Sequence, residues 1–287
     1  MSEAITSVAI VGGGFMGAGI AQSTALAGFP VVLQELPEYL DAARQRLETS
    51  LDRAVKRGKL DAGDRDSALT RVRLTSDMKD LAGADLVIEA VPENEELKTS
   101  IMRAVGDIVT DEAIIASNTS SIPIAQLASA VRNPARVVGL HFFSPVPVMA
   151  LVEIVRALDT SDATIETAHA FVGRIGKRAI ETKDRSGFIV NMLLVPYLMA
   201  AVRMYEDDFA TRDDIDEGMK LGAGHPMGPL TLCDLIGLDV LHAVCNSLYE
   251  EFKRDEYAPP PLMKRMIAAG RLGRKSGRGF YDYAPRV

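Results

Sequence analysis

Cysteine is scarce in this chain of 287 residues, which contains only Cys233 and Cys245. The two lie twelve residues apart in an apolar stretch with a helical pattern, and they form neither a CxxC motif nor a metal-ligand spacing. We interpret them as small buried residues in a reducing compartment. The sequence therefore predicts no disulfide framework and no metal site.

Long hydrophobic runs and an excess of positive charge are also absent. The most apolar stretch, residues 187–202, is interrupted by Asn191 and Pro196 and is too short to span a bilayer. The N-terminus lacks the basic region and apolar run of a signal peptide. A net charge of −7 argues against a nucleic-acid or membrane-surface partner. We expect a cytoplasmic protein that binds neither nucleic acid nor membrane.

The length and the apolar content of 47% favour two domains, each with its own core. Residues 1–185 alternate short apolar runs with helical patterns, which predicts an α/β domain with a mostly parallel sheet covered by helices. After the polar segment 183–187 the helical pattern dominates. We therefore predict a boundary there, followed by a smaller all-α domain at residues 186–287.

The periodicity of the apolar residues predicts the individual elements. Strands are expected at residues 5–11, 31–34, 85–91, 113–117, 137–141, 151–155 and 179–182. Helices are expected after a glycine-rich turn, from Pro37 onward, and at residues 95–108, 122–130 and 163–175. The second domain is expected to contain helices at 188–206, 212–221, 238–252 and 261–269, and a short extended tail at 279–283.

The glycine-rich turn Gly-Gly-Gly-Phe-Met-Gly, residues 12–17, matches GxGxxG between a predicted strand and a predicted helix. Gly12 would allow the tight turn, Gly14 the close approach of a pyrophosphate, and Gly17 the packing of helix on strand. The helix would present free N–H groups and its positive dipole end to phosphates. This context is typical of a Rossmann dinucleotide-binding domain.

Glu35 follows the second predicted strand, about where an acid accepts hydrogen bonds from an adenosine ribose. A carboxylate at this position repels a 2′-phosphate, so we expect NAD rather than NADP as the cofactor. The alternative is a glycine-rich turn without a ligand and a solvated Glu35.

The helix after Pro37 is basic in an otherwise acidic chain. Between Arg44 and Lys59 it carries six basic residues and two acids. Such an asymmetry is typical of an anionic ligand site, and coenzyme A with its phosphates would fit. The alternative is a solvated helix face.

Polar residues interrupt three segments that otherwise have a buried pattern. Residues 117–121, Ser-Asn-Thr-Ser-Ser, follow a predicted strand, where ligands bind in open α/β sheets. His141 and Glu153 lie in apolar strands, and Asn191 lies in an apolar helix. A buried acid rarely lacks a partner. Each residue alone could be structural, but in a dinucleotide-binding fold the combination favours catalysis.

Taken together, these motifs resemble the 3-hydroxyacyl-CoA dehydrogenase family over nearly the whole chain. The matching runs are residues 12–21, 117–121, 139–143, 151–153, 187–191, 225–229 and 272–281. The similarity is strongest to the shorter bacterial members, which act on 3-hydroxybutyryl-CoA. The resemblance implies an NAD-dependent oxidoreductase and homodimer that interconverts (S)-3-hydroxyacyl-CoA and 3-oxoacyl-CoA of short chain length.

The resemblance also implies roles for single residues. His141 would be the general base and Glu153 the acid that orients it, while Ser120 and Asn191 would contact the reacting oxygens of the substrate. Ser50 and Arg57 fall where the family contacts coenzyme A, although the family usually carries Lys at the second position. The implied cofactor-binding residues are Gly12, Gly14, Phe15, Met16, Gly17, Glu35, Glu93, Lys98 and Asn118.

The chain departs from the family pattern at two positions. Ser144 replaces a common Asn after the two phenylalanines, and Ser186 replaces a common Pro before the glycine of the second-domain motif. Neither change removes an implied catalytic group. The shorter Ser144 does put the substrate and cofactor contacts at that position in doubt.

Two other functions stay open from the residues. One is a dehydrogenase of free 3-hydroxy acids, and the other is a catalytically silent NAD-binding protein with a structural or sensor role. The His-Glu spacing and the basic helix favour a CoA thioester over a free acid. The intact set of Ser120, His141, Glu153 and Asn191 argues against a silent protein.

Overall fold

The structure is a computed structural model that describes residues 5–283. The chain divides into two compact units, of which the first ends at Arg185 and the second begins at Ser186. Within the described residues, no single helix is long and apolar enough to cross a membrane. Only one pair of consecutive helices, bent by 97° at the break between them, meets that test together.

The first unit is built on an eight-stranded sheet. Its strands are β1 (Val8–Val11), β2 (Val31–Gln34), β3 (Val72–Thr75), β4 (Leu86–Glu89), β5 (Ile114–Ser117), β6 (Val137–Phe142), β7 (Leu151–Arg156) and β8 (Arg178–Lys183). They lie in the order β3-β2-β1-β4-β5-β6-β7-β8, and β6 and β7 form the one antiparallel pair of neighbours among them. The strand order reverses between β1 and β4, which is the place where ligands bind in doubly wound sheets.

Six helices accompany this sheet in the first unit. They are α1 (Phe15–Leu26), α2 (Leu40–Lys56), α3 (Ala62–Arg71), α4 (Glu95–Ile108), α5 (Ile124–Ala128) and α6 (Asp162–Arg174). The strands β1, β4, β5 and β6 are buried along their whole length, as expected for strands covered on both faces. Side-chain caps fix the starts of two helices, because Asn94 accepts from Leu97 N–H and Ser161 from Thr164 N–H.

The second unit is helical. Its helices are α7 (Val190–Glu206), α8 (Arg212–Glu217), α9 (Pro229–Ile236), α10 (Leu238–Phe252) and α11 (Pro261–Ala268). They enclose a separate apolar core that includes Leu198, Leu230, Leu241 and Leu248. The predicted fold class, a Rossmann-type mostly parallel sheet with a smaller all-α domain, is therefore confirmed.

Several element predictions need correction. The sequence analysis missed α3 and β3, because residues 62–75 are rich in charge and β3 is a half-exposed edge strand. It also missed α9, a short helix that begins at a proline. The predicted helix 212–221 ends at Glu217 and continues as a π-helical turn, and the predicted extended tail 279–283 forms only isolated bridges.

Ser186 is one of the two departures from the family pattern. It makes two contacts that a proline could not make. Its backbone N–H donates to Glu251 Oε2 at 2.7 Å, and its hydroxyl lies 2.8 Å from the Ser247 hydroxyl. Proline has no N–H to donate and no hydroxyl. The serine therefore ties the start of the second unit to α10.

The two cysteines are buried in the second unit, as predicted. Burial raises the pKa of the Cys245 thiol to about 12 and raises that of Cys233 well above its usual value. Both side chains therefore stay protonated at neutral pH and act as small apolar groups.

The buried carboxylate of Asp234, on α9, fixes the position of residues 280–283. It accepts hydrogen bonds from Phe280 N–H at 2.9 Å, from Tyr281 N–H at 3.0 Å and from the Tyr283 hydroxyl at 2.9 Å. Gly279 comes so close that an added Cβ would lie 1.9 Å from Asp234 Oδ1. The glycine is therefore required by the approach of this carboxylate.

We predict that Gly279→Ala destabilises the protein by about 2 kcal/mol or more, because the methyl group would displace Asp234 from its donors. Gly218→Ala is the matched control, since an added Cβ there meets nothing within 4 Å. Thermal unfolding followed by circular dichroism should show a lower midpoint for Gly279→Ala alone. Equal midpoints for the two variants would contradict this account of the tail.

Candidate active site

His141 and Glu153 form a buried pair at one end of the sheet. The antiparallel register of β6 and β7 places the two residues directly opposite each other, so their side chains emerge on the same face. His141 Nδ1 lies 2.7 Å from Glu153 Oε2, with His141 4% and Glu153 0% exposed. The Phe143 ring packs against the imidazole at 4.6 Å between centroids.

The second imidazole nitrogen points at Ser120. His141 Nε2 lies 3.1 Å from Ser120 Oγ. In the tautomer that donates from Nδ1 to Glu153, Nε2 presents its lone pair. The nitrogen with the lone pair therefore faces the serine hydroxyl, in the arrangement that a general base requires.

Glu93 holds the loop that carries Ser120. Its Oε1 accepts from the Thr119 hydroxyl at 2.6 Å, from Ser120 N–H at 2.9 Å, and from the N–H and hydroxyl of Ser121 at 3.2 and 3.0 Å. Burial alone would raise the pKa of Glu93, but the Lys98 ammonium and these donors outweigh it, so the pKa is lowered. Glu93 is therefore ionised at neutral pH.

Asn118 ties the same loop to the strand of the histidine. Its Oδ1 accepts from Phe142 N–H at 2.9 Å, directly after His141. The sequence analysis named Asn118 as a cofactor-binding residue, and the structure gives it this link between the end of β5 and the end of β6. The contact fixes the spacing between Ser120 and His141.

Glu89, the last residue of β4, is a member of this region that the sequence analysis missed. It is fully buried, and its Oε1 lies 2.7 Å from Lys98 Nζ. Its Oε2 accepts from the Ser117 hydroxyl at 2.6 Å. The signal was present in the sequence, because Glu89 follows Leu-Val-Ile in an apolar strand just as Glu153 interrupts one.

The glycine-rich turn lies at the start of α1, next to the reversal point of the sheet. Gly12 has a φ of +100°, which only glycine adopts without strain. An added Cβ at Gly17 would lie 1.8 Å from the Gly12 carbonyl oxygen, whereas one at Gly14 would meet nothing within 4 Å. No side chain caps α1, so its first N–H groups and the open space at Gly14 fit a pyrophosphate. Phe15 is exposed and Met16 half-buried at this helix start.

Glu35 lies beside this turn. Its Oε2 accepts from Gly13 N–H at 2.8 Å, and its Oε1 accepts from Leu36 N–H at 2.8 Å. Both oxygens are thus held in place by backbone groups while each keeps a lone pair for another donor. This geometry suits a ribose diol and opposes a phosphate on the same ribose.

A cleft of about 410 Å³ lies between α1, α2 and the loop 145–147 in the first unit. Ser50 and Arg53 of the basic helix line it, but Arg57, which follows the end of α2, is not among the lining residues. Arg46 also lines it and donates to the Gly13 carbonyl oxygen at 3.3 Å. The structure therefore brings Ser50 to a cavity beside the glycine-rich turn and adds Arg53, which the sequence analysis did not name.

Asn191 belongs to the second unit, where it is the second residue of α7 and half-buried. Among the described residues, no group of three or more His, Cys, Asp or Glu side chains is arranged to hold a metal ion.

The first unit thus has the strand order, glycine-rich turn and acid of a dinucleotide-binding domain. Residues 7–185 match the family model for the NAD-binding domain of 3-hydroxyacyl-CoA dehydrogenase, and residues 187–283 match the model for its C-terminal domain. The chain belongs to the 3-hydroxyacyl-CoA dehydrogenase family and is an NAD-dependent oxidoreductase.

Three similar proteins match this chain over their full length. A 3-hydroxybutyryl-CoA dehydrogenase of Mycobacterium tuberculosis is 51% identical, over 99% of this chain and 100% of that protein. The crystal structure of M. tuberculosis FadB2 superposes with a TM-score of 0.97 at 50% identity, covering 98% of this chain and 100% of that one. The (S)-3-hydroxybutyryl-CoA dehydrogenase PaaH1 of Ralstonia eutropha has a TM-score of 0.93 at 46% identity, with coverage of 98% and 100%.

Proposed function

We propose that this protein interconverts (S)-3-hydroxybutyryl-CoA and acetoacetyl-CoA with NAD. The observation that carries the proposal is the chain of side-chain contacts from Ser120 through His141 to Glu153. It lies at the same end of the sheet as the glycine-rich turn. The names of its relatives in M. tuberculosis and R. eutropha support the short-chain thioester as substrate.

In the direction of oxidation, His141 Nε2 removes the proton from the C3 hydroxyl of the substrate. Glu153 keeps the imidazole in the tautomer with a free Nε2 and stabilises the imidazolium that forms. Ser120 donates a hydrogen bond to the reacting oxygen, and we assign Asn191 to substrate contact, as the family resemblance implies. When bound, NAD supplies the hydride acceptor at its nicotinamide ring.

The cofactor would be held by the groups described at the glycine-rich turn. Gly12, Gly14 and Gly17 allow the pyrophosphate to approach the start of α1, with Phe15 and Met16 beside it, and Glu35 accepts from the adenosine ribose. We place Glu93, Lys98 and Asn118 at the nicotinamide end, because they surround the loop that carries Ser120.

Coenzyme A would bind along α2, with Ser50 in the cleft and Arg57 toward its phosphates. The cationic side chains of this helix attract the anionic substrate, as the charge pattern suggests. We assign NAD binding to residues 1–185 and part of the substrate contact and dimerisation to residues 186–287. The cytoplasmic location expected from the sequence is part of the same proposal.

A homodimer through the second unit is supported by its exposed apolar side chains, which include Leu193 at 71%, Phe209 at 78% and Leu221 at 81% exposure. Light scattering should give a molar mass twice that of the chain, and a monomer at micromolar concentration would refute the dimer.

We predict that His141→Gln lowers the rate of NADH consumption with acetoacetyl-CoA by a factor of about 10² to 10⁴, because glutamine cannot transfer the proton. NADH binding, measured by fluorescence, should change little. His169→Gln is the matched control, since His169 also faces a carboxylate, at 3.7 Å from Glu181, but lies outside the site.

The same assay separates the competing functions. The wild-type protein should consume NADH with acetoacetyl-CoA and not with free acetoacetate. Preference for the free acid would identify a 3-hydroxy acid dehydrogenase, and no turnover with either would identify a silent NAD-binding protein. Turnover by His141→Gln close to that of the wild type would refute the assignment of the base.

We predict that Arg57→Ala raises KM for acetoacetyl-CoA about tenfold, the effect of losing one charge-assisted hydrogen bond to phosphate. KM for acetoacetyl-pantetheine, which lacks the nucleotide phosphates, should stay unchanged. Arg103→Ala, at an exposed position of α4 and outside the basic helix, is the control and should alter neither value. An equal rise for both substrates in Arg57→Ala would argue against a phosphate contact.

A further inference from the structure

A cluster of three charges lies behind the loop that carries Ser120. Lys98 and Glu89 are each 1% exposed at the side chain, with Lys98 Nζ 2.7 Å from Glu89 Oε1. The same ammonium lies 3.4 Å from Glu93 Oε2 and donates to the Val91 carbonyl oxygen at 3.1 Å. Lys98 thus donates hydrogen bonds to Glu89 and to the Val91 carbonyl oxygen, and it forms an ion pair with Glu93.

This cluster is connected to the histidine by two routes. In one, Lys98 forms ion pairs with Glu89 and Glu93, and Glu93 accepts a hydrogen bond from Ser120 N–H at 2.9 Å. In the other, Glu89 Oε2 accepts from the Ser117 hydroxyl, which in turn accepts from Thr119 N–H at 3.2 Å. Both routes start at Glu89 and end in the loop that presents Ser120 to His141.

The position of Glu89 in the sheet explains why it can serve both routes. It is paired with Ser117 across β4 and β5, and Ser117 is paired with Gly139 across β5 and β6. Glu89 therefore lies level with Gly139 of β6, two strands away and roughly 10 Å at the usual strand spacing, and His141 follows two residues further along that strand. The central strands β4, β5 and β6 are buried along their whole length, so Glu89 is enclosed on both faces of the sheet.

A buried carboxylate is a costly way to stabilise a sheet, because apolar residues of similar size do so as well or better. A fully enclosed charge does, however, fix the directions of its donors, and here those donors lie on β5, on α4 and in the backbone at Val91. Such an arrangement fixes the positions of these donor groups rather than adding to the stability of the sheet.

We propose that Glu89 is a positioning residue of the active site, which through Lys98 and Ser117 sets the place of Glu93 and of the loop 117–121, and thereby of Ser120 opposite His141. This proposal rests on the proposed function, in which Ser120 contacts the reacting oxygen.

Glu89→Gln tests the proposal, since it keeps the size of the side chain and removes the charge that holds Lys98. With acetoacetyl-CoA and NADH, kcat should fall about 10- to 100-fold, the range for a misplaced catalytic contact. KM for acetoacetyl-CoA should change less than about threefold, because the coenzyme A contacts proposed on α2 remain. Glu96→Gln, an exposed neighbour on α4, is the control with wild-type kcat.

A double-mutant cycle shows whether Glu89 acts through Ser120. If it does, Glu89→Gln should lower kcat much less in a Ser120→Ala protein than in the wild type. Effects that multiply would overturn the proposal. So would a folded Glu89→Gln protein with kcat within about twofold of the wild type, or one in which KM rises and kcat does not.

If Glu89→Gln does not fold, the variant Ser117→Ala tests the proposal instead. It removes only the hydroxyl that links Glu89 to the loop, and it should lower kcat severalfold with little change in KM. An unchanged kcat in Ser117→Ala would overturn the proposal in that case. Wild-type turnover with acetoacetyl-CoA is measured first, so that failure of the proposed function is distinguished from failure of the role of Glu89.

Discussion

A carboxylate buried in an apolar interior needs hydrogen-bond donors around its oxygens, and this requirement organises both units of the protein. In the first unit, Glu153 is satisfied by His141, and Glu89 by Lys98, Ser117 and a backbone N–H. In the second, Asp234 accepts hydrogen bonds from the backbone N–H groups of Phe280 and Tyr281. The acids are placed where strands or helices from distant parts of the sequence must meet in one geometry.

The sequence predicted much of this architecture because the central strands are apolar along their whole length. β2 was predicted at its observed bounds, and α4 and α10 likewise. The failures have a common cause. Residues 62–75 form a helix and an edge strand that are only partly buried, so tertiary contacts rather than a hydrophobic pattern decide their structure.

The candidate site was only partly predictable from the sequence. His141 and Glu153 stand out as polar residues in apolar strands, yet only the antiparallel register shows that they are partners. Glu89 carries the same signal but occurs at a strand end, where a charge needs no explanation until burial is known. Arg53 could not be chosen from six basic neighbours, because periodicity does not say which of them reaches the cleft.

The two outer strands of the sheet have a consequence for self-association. β8 exposes Arg178, Glu181 and Lys183, and β3 at the opposite edge exposes Arg73. Charged edges oppose the addition of a strand from another molecule, which is the usual route by which sheet proteins aggregate. Both edges of the sheet thus oppose growth, which favours association of copies of this chain through side chains over a continuous β-ladder.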